Sequence, residues 1–285
     1  MYPVQLARHE SELGTWERFT REAEPRLRPY VTGYFDYTES RSLGRRREVP
    51  STVVPIIINF ESSLSVSTAG RPEEITEFRF GFTAGLIDSY VDTESSGPAH
   101  GVQVDFTPLG ARLFFGLPMS ELANRNLDLE DVLGAEGRRL VEQLHDAPRP
   151  DERFAMLDSY IVGRFAEARP PSEGIAWAWQ RLTEADGDVN IRALAEALGC
   201  SGKHLVAQFR DQIGFPPKTV ARMLRFDRVI RTIERGAVVG WADVADDCGY
   251  YDQAHFNREF REFAGCTPSD FLARRLPDGG GVRAE

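Results

Sequence analysis

Residues 188–217 read DVNIRALAEALGCSGKHLVAQFRDQIGFPP, and residues 241–268 read WADVADDCGYYDQAHFNREFREFAGCTP. The second stretch repeats the first. Leu194-Ala195 answers to Val244-Ala245 and Gly199 to Gly249. The pair Leu205 and Phe209 answers to Phe256 and Phe260, Gly214 to Gly265, and Pro217 to Pro268. The offset is 50 residues at the turn glycines and 51 at the second-helix apolar pair, the later glycine and the proline. Each copy predicts an apolar helix, a glycine turn and a second helix. This is the helix-turn-helix pattern, whose second helix is shaped to enter a DNA major groove. Two copies imply two recognition helices held at a fixed separation.

Helical periodicity sorts the residues of each second helix. Leu205, Phe209 and Ile213 fall on one inward face, as do Phe256, Phe260 and Phe263. Lys203, Val206, Ala207 and Arg210 then point outward from the first helix, which is predicted over 202–214 with Ser201 as its cap. Gln253, Ala254, His255, Asn257, Arg258 and Arg261 point outward from the second, predicted over 253–263 with Asp252 as its cap. Gln, Asn and Arg are able to make paired hydrogen bonds to base edges, and Lys and His single ones. Val206 and Ala207 offer apolar contacts, for example to thymine methyls. A long helix over 219–235 joins the two units. It carries Arg222, Arg225, Arg228, Arg231 and Arg235, which serve either as phosphate contacts or as ion-pair partners of Asp227 and Glu234.

The rest of the chain reads differently. Short aromatic and β-branched runs over 30–37, 52–60, 64–68, 77–83, 86–91 and 101–106, separated by Gly, Pro and Ser, predict a small barrel or sandwich. Pro55 marks its run as an edge or a strand start. Helical segments follow, the longest over 152–168 with Phe154, Leu157, Ile161 and Phe165 on one stripe. That stripe either covers the barrel or forms a dimer seam. The fold class is therefore α+β: an N-terminal β-rich, barrel or cupin-like domain with helices over 1–170, and an all-α tandem helix-turn-helix domain over 171–276. Residues 277–285 read as a disordered tail that buries nothing.

Composition narrows the function. The 285 residues carry a net charge of -10, but it is unevenly spread. Residues 1–174 hold 19 Lys and Arg against 28 Asp and Glu, whereas residues 175–276 hold 14 of each. A neutral DNA-binding domain gains less from counterion release than a basic one, so a second protomer would help it. No apolar run is long enough for a membrane span, and no secretory signal is visible. Cys200, Cys248 and Cys266 lack metal spacing and read as reduced core thiols of a cytoplasmic protein. No metal, cofactor or catalytic motif is expected. The aromatics Tyr34, Phe35, Tyr37, Phe60, Phe78, Phe80, Phe82, Tyr90 and Phe106 are expected either to pack the barrel core or to line a pocket.

On the residues quoted above, the C-terminal region resembles the AraC/XylS family of transcription regulators. The second copy, with Gly249-Tyr250, Asp252-Gln253, His255-Phe256, Arg258, Phe260-Arg261, Gly265, Thr267-Pro268 and Phe271, is the more diagnostic half. The resemblance implies a bacterial sequence-specific regulator that places two helices in adjacent major grooves of double-stranded DNA and works with RNA polymerase. By positional match it puts contacts on Lys203, Val206 and Ala207, then Gln253, Ala254, His255 and Arg258. This chain departs at Ala207, where the family often has Arg. Residues 101–122 resemble, more weakly, a segment of the sensor domains that precede such modules, which implies a small-molecule effector and a homodimer. One alternative keeps the DNA-binding module but makes the N-terminal domain a protein-interaction module. Another fuses it to an enzyme domain. A DNA-alkylation repair fusion would need N-terminal cysteines, and all three cysteines here are C-terminal.

Overall fold

The computed structural model describes residues 3–11, 14–42, 44–236, 240–276 and 281–284. The N-terminal half contains strands β1 (Gln5–Ser11), β2 (Gly14–Arg21), β3 (Val31–Glu39), β4 (Arg46–Glu48), β5 (Val54–Asn59), β6 (Leu64–Thr68), β7 (Arg71–Phe78), β8 (Gly81–Ala84), β9 (Val91–Ser95) and β10 (Ala99–Phe106). Helix α1 (Pro108–Phe115), a 3-10 turn (Met119–Glu121), β11 (Asn126–Asp128), α2 (Leu129–Leu133), α3 (Ala135–Asp146) and α4 (Pro150–Glu167) follow. The strands form two sheets, the sandwich of the two expected arrangements and not the closed barrel. One sheet has the order β1-β2-β3-β10-β5-β8-β11. The other is β4-β9-β6-β7, with a last strand, β12 (Val282–Arg283), added at the β4 edge.

The run over 77–83 is two strands, not one. β7 ends at Phe78 and pairs with β6, while β8 starts at Gly81 and pairs with β5 in the other sheet. Gly81 makes the switch possible, because a Cβ there would stand 2.6 Å from the carbonyl oxygen of Ile57. Residues 85–90 are loop, and β9 begins only at Val91. Pro55 sits at the start of β5, a strand paired on both sides, so it marks a beginning and not an edge. β1, β2 and β4 are strands that the charged and mixed composition of their residues concealed.

Alternation gives the larger sheet two faces. On β3, Tyr34 and Asp36 are buried beneath the helices, with Val102, Val104 and Phe106 of β10 beside them. Helix α4 lies on this face. Phe154 stacks on Tyr34, Arg153 donates to Asp36 at 2.6 Å, and Arg21 of β2 pairs with Asp158 and donates to the Phe154 carbonyl oxygen at 2.8 Å. The stripe Phe154, Leu157 and Ile161 is at most 2% exposed within one chain. It covers the sheet, one of the two readings that the sequence leaves open, so these three side chains are not a dimer seam.

The C-terminal half is helical: α5 (Glu173–Glu184), α6 (Ile191–Ala197), α7 (Gly202–Gln212), α8 (Pro217–Glu234), α9 (Trp241–Asp247), α10 (Gln253–Ala264) and α11 (Pro268–Ala273). One apolar core runs from the strands through these helices. Of the tail, 277–280 and 285 lie outside the described residues. β12, however, pairs Val282 with Arg47 and Arg283 with Arg46, and Val282 is 1% exposed. The expectation that 277–285 buries nothing fails there, because β4 offers an open edge for backbone pairing.

Candidate nucleic-acid interface

Both recognition helices start as the sequence predicts. The Ser201 hydroxyl accepts from the His204 amide at 3.2 Å, and the Asp252 carboxylate from the His255 amide at 2.7 Å. Leu205, Phe209 and Ile213 are buried, as are Phe256, Phe260 and Phe263. α8 spans about 27 Å at ~1.5 Å per residue and separates the two units.

Burial of these faces leaves the others in solvent. On α7, Lys203, Ala207 and Arg210 are exposed and Val206 is half-buried. On α10, Gln253, Ala254, Arg258 and Arg261 are exposed, while Asn257 and His255 are half-buried. The His255 ring packs edge-on against Tyr250, with Nε2 3.9 Å from the buried Glu259 carboxylate. It is therefore turned partly toward α10's own packing side. Tyr251, missed in the sequence, is 92% exposed just before the α10 cap. A large aromatic in a polar turn, within a domain that buries most of its others, was the available signal.

Three arginines of the row on α8, Arg222, Arg228 and Arg231, are engaged in ion pairs. Arg222 bridges Glu259 and Glu262, both at 2.7 Å, and so fixes α10 against α8. Arg231 pairs with Asp227 at 2.9 Å and with Asp186. Arg225 lies over the Tyr250 ring.

The opposite ends of both recognition helices meet the N-terminal domain. Arg112 of α1 donates to the Asp211 carbonyl oxygen in the last turn of α7 at 3.0 Å, and also pairs with the Asp211 carboxylate. Arg47 of β4 donates to the Ala264 carbonyl oxygen, the last of α10, at 3.4 Å. Each helix thus has a cation at its negative C-terminal end, supplied by the other domain. Neither arginine was singled out in the sequence, since only the fold brings them there.

Residues 194–274 match the family model of a helix-turn-helix domain, and residues 20–128 match that of a domain of unknown function (DUF6597). The C-terminal region is a helix-turn-helix domain. No curated protein matches the chain. Among solved structures it is similar to ToxT from Vibrio cholerae, at 10% identity and TM-score 0.46, over 95% of this chain and 98% of that one. A ToxT structure with bound unsaturated fatty acid shows 12% identity and TM-score 0.45, over 82% of this chain and 95% of that one. The AraC-like transcriptional activator CuxR shows 15% identity and TM-score 0.26, over 79% of this chain and 80% of that one.

The domain ahead of this helix-turn-helix unit holds a cavity of about 520 Å³ between its two sheets. Of the candidate aromatics, Phe35, Tyr37 and Phe82 line it. Tyr34 and Phe106 belong to the helix-covered core, Phe78 stacks on Phe82, Phe80 is exposed, and Tyr90 lies under Arg47. Among the described residues no His, Cys, Asp and Glu cluster is arranged to hold a metal ion, and no helix is long and apolar enough to cross a membrane.

Proposed function

We propose that the chain is a bacterial, cytoplasmic, sequence-specific DNA-binding transcription regulator controlled by an effector in its N-terminal domain. One observation carries this reading: two capped recognition helices leave their polar N-terminal ends in solvent while their C-terminal ends are held. Lys203, Val206, Ala207 and Arg210 would read one major groove, and Gln253, Ala254, His255, Asn257, Arg258 and Arg261 the next. Tyr251 is placed to touch the backbone beside the second helix. The reading makes the chain a regulator rather than an enzyme, with RNA polymerase as its onward partner. It also makes the chain a homodimer on its operator, since a charge-neutral DNA-binding domain gains effective concentration from a second copy.

The effector reading rests on the cavity, which favours a small molecule over a protein partner. Strand β4 would carry the signal. Arg46 and Glu48 line the cavity, while Arg47 between them holds α10. A ligand that displaces β4 moves the end of a recognition helix.

Selection of DNA from a random pool tests the regulator reading. The full chain is expected to enrich one sequence, and the Arg258→Ala chain to lose that preference. Recovery of unenriched DNA would count against it.

A further inference from the structure

The cavity between the sheets has one cation without a counter-ion. Arg18 of β2 lines it, and among the described residues no carboxylate or carbonyl group partners its guanidinium. Its contacts are aromatic: its Cζ lies 5.5 Å from the Trp16 ring centroid and 5.8 Å from that of Phe35. The Nε of Arg18 and the Nε1 of Trp16 are buried without a hydrogen-bond partner. So is the Nε2 of His9, whose ring stacks on Trp16. Folded proteins pair nearly all such groups, and two neighbouring orphan donors on the wall, Trp16 and Arg18, point to a missing acceptor.

The other polar groups of the wall are accounted for differently. Arg46 pairs with Glu39 at 2.7 Å, Glu17 accepts from Arg8, and the Asn59 amide donates to the Phe78 carbonyl oxygen. Elsewhere in the domain, Arg21, Arg47 and Arg153 each hold a carboxylate. Arg18 differs from these three in holding no carboxylate among the described residues.

Asp105 lies toward the other end of the cavity. It accepts one hydrogen bond, from the Gln103 side-chain amide at 2.7 Å. Burial raises its carboxyl to about 6, only partly offset by that bond, and no cation contributes. The register sets the scale. Arg18 is opposite Tyr37 and Tyr37 opposite Gly101. Asp105 lies four residues further along β10, so strand spacing and rise put the two Cα atoms about 16 Å apart. Between them the wall is Tyr37 and Phe35 of β3 and Gln103 of β10, with Ile57 beyond β10.

We propose that the cavity binds a small organic carboxylate: its acid group pairs with Arg18, and its apolar body lies over Phe35 and ends in a hydrogen-bond donor at Asp105. The inference rests on the effector reading above and gives that effector a chemical class. A guanidinium between aromatic faces suits a planar anion. An under-satisfied carboxyl at the far end selects for a hydroxyl or an amine.

Calorimetric titration of the full chain with three probes tests it. Para-hydroxyphenylpropionate carries both groups, phenylpropionate lacks the donor, and tyramine lacks the acid. The first is expected to bind best, the second several-fold more weakly, and tyramine not at all. Arg18→Gln should weaken both acids by about ten- to a hundredfold, the range for a lost charged hydrogen bond. The same variant should not lower the melting temperature of the ligand-free protein, because it removes an unpaired charge. Asp105→Asn should erase the preference between the two acids and little else.

Equal binding of tyramine, unchanged acid binding by Arg18→Gln, or failure of both acids to bind at millimolar concentration would overturn the proposal. The DNA selection described above is read separately. Enrichment without acid binding rejects the ligand class alone, and acid binding without enrichment rejects the regulator alone.

Discussion

Arg47 and Ala264 are 217 residues apart in sequence, yet the guanidinium of the first donates to the carbonyl oxygen of the second at 3.4 Å. Arg47 also pairs with Asp92 at 2.8 Å, and its Cζ lies 3.7 Å from the Tyr90 ring centroid. One side chain thus joins the outer sheet, the loop before β9 and the end of the second recognition helix. The DNA-binding unit is seated on the N-terminal domain and not merely tethered to it.

Gly265 lies at the same junction, with φ +69°, and a Cβ there would stand 2.2 Å from the Tyr90 ring. Gly265→Ala is therefore expected to destabilise the chain by about 1–3 kcal/mol, through left-handed strain and a steric clash together. Adding Tyr90→Ala should restore the steric part and leave the strain. Chemical denaturation of the single and double variants measures both. Equal stability of Gly265→Ala and the parent chain would show that the seat is loose.

Arg258 is exposed on α10, one turn beyond His255. Arg258→Ala is expected to weaken specific DNA binding by about 1–3 kcal/mol, the range for a good base contact. The melting temperature should not change, because the side chain is solvent-exposed. Quantitative gel-shift titration on the selected site gives the affinity. Unchanged affinity in a folded variant would remove Arg258 from the interface.

Asp105 gives a pH signature. Its folded carboxyl titrates at about 6, above the ordinary value of 3.8. A raised value means that the folded state holds its proton more tightly than the unfolded chain does. The stability that the protonated group contributes is complete below about pH 4, falls as pH rises, and is gone above about pH 6. The difference is on the order of 3 kcal/mol. Asp105→Asn should flatten the stability curve across that window relative to the parent chain. Parallel curves for the two proteins would mean that the carboxyl is not buried as described.

Leu157 separates the two roles of its helix. It is 2% exposed beneath the sheet. Leu157→Glu should cost several kcal/mol, because a buried charge there has no partner. The expected outcome is an unfolded or aggregated chain by circular dichroism and sedimentation. A folded monomer would instead restore the dimer seam.

The helix-turn-helix repeat was legible because its apolar spacing, caps and turn glycines are local. Ser201, Asp252, Leu205 and Phe256 announce their places within a few residues. The choice between barrel and sandwich was not legible, because β7 and β8 form one alternating run whose division depends on how Gly81 approaches Ile57. β4 is three charged residues, Arg46-Arg47-Glu48, and becomes a strand only through the pairing offered by β9 and β12. Arg18, Arg47 and Arg112 look alike in sequence. Only the fold leaves the first unpaired in a cavity and sets the other two on helix ends. The stripe on α4 was read correctly as apolar, but its partner, a sheet more than a hundred residues earlier, lies beyond any local pattern.

DNA footprinting of the full chain on its selected site tests the central claim most directly. Two recognition helices on one frame, spaced by α8, should protect two successive major grooves on one face of the duplex for each protomer, about one helical turn apart. Arg258→Ala should lose protection over one of them. Protection confined to a single groove per protomer, or protection independent of sequence, would contradict the account.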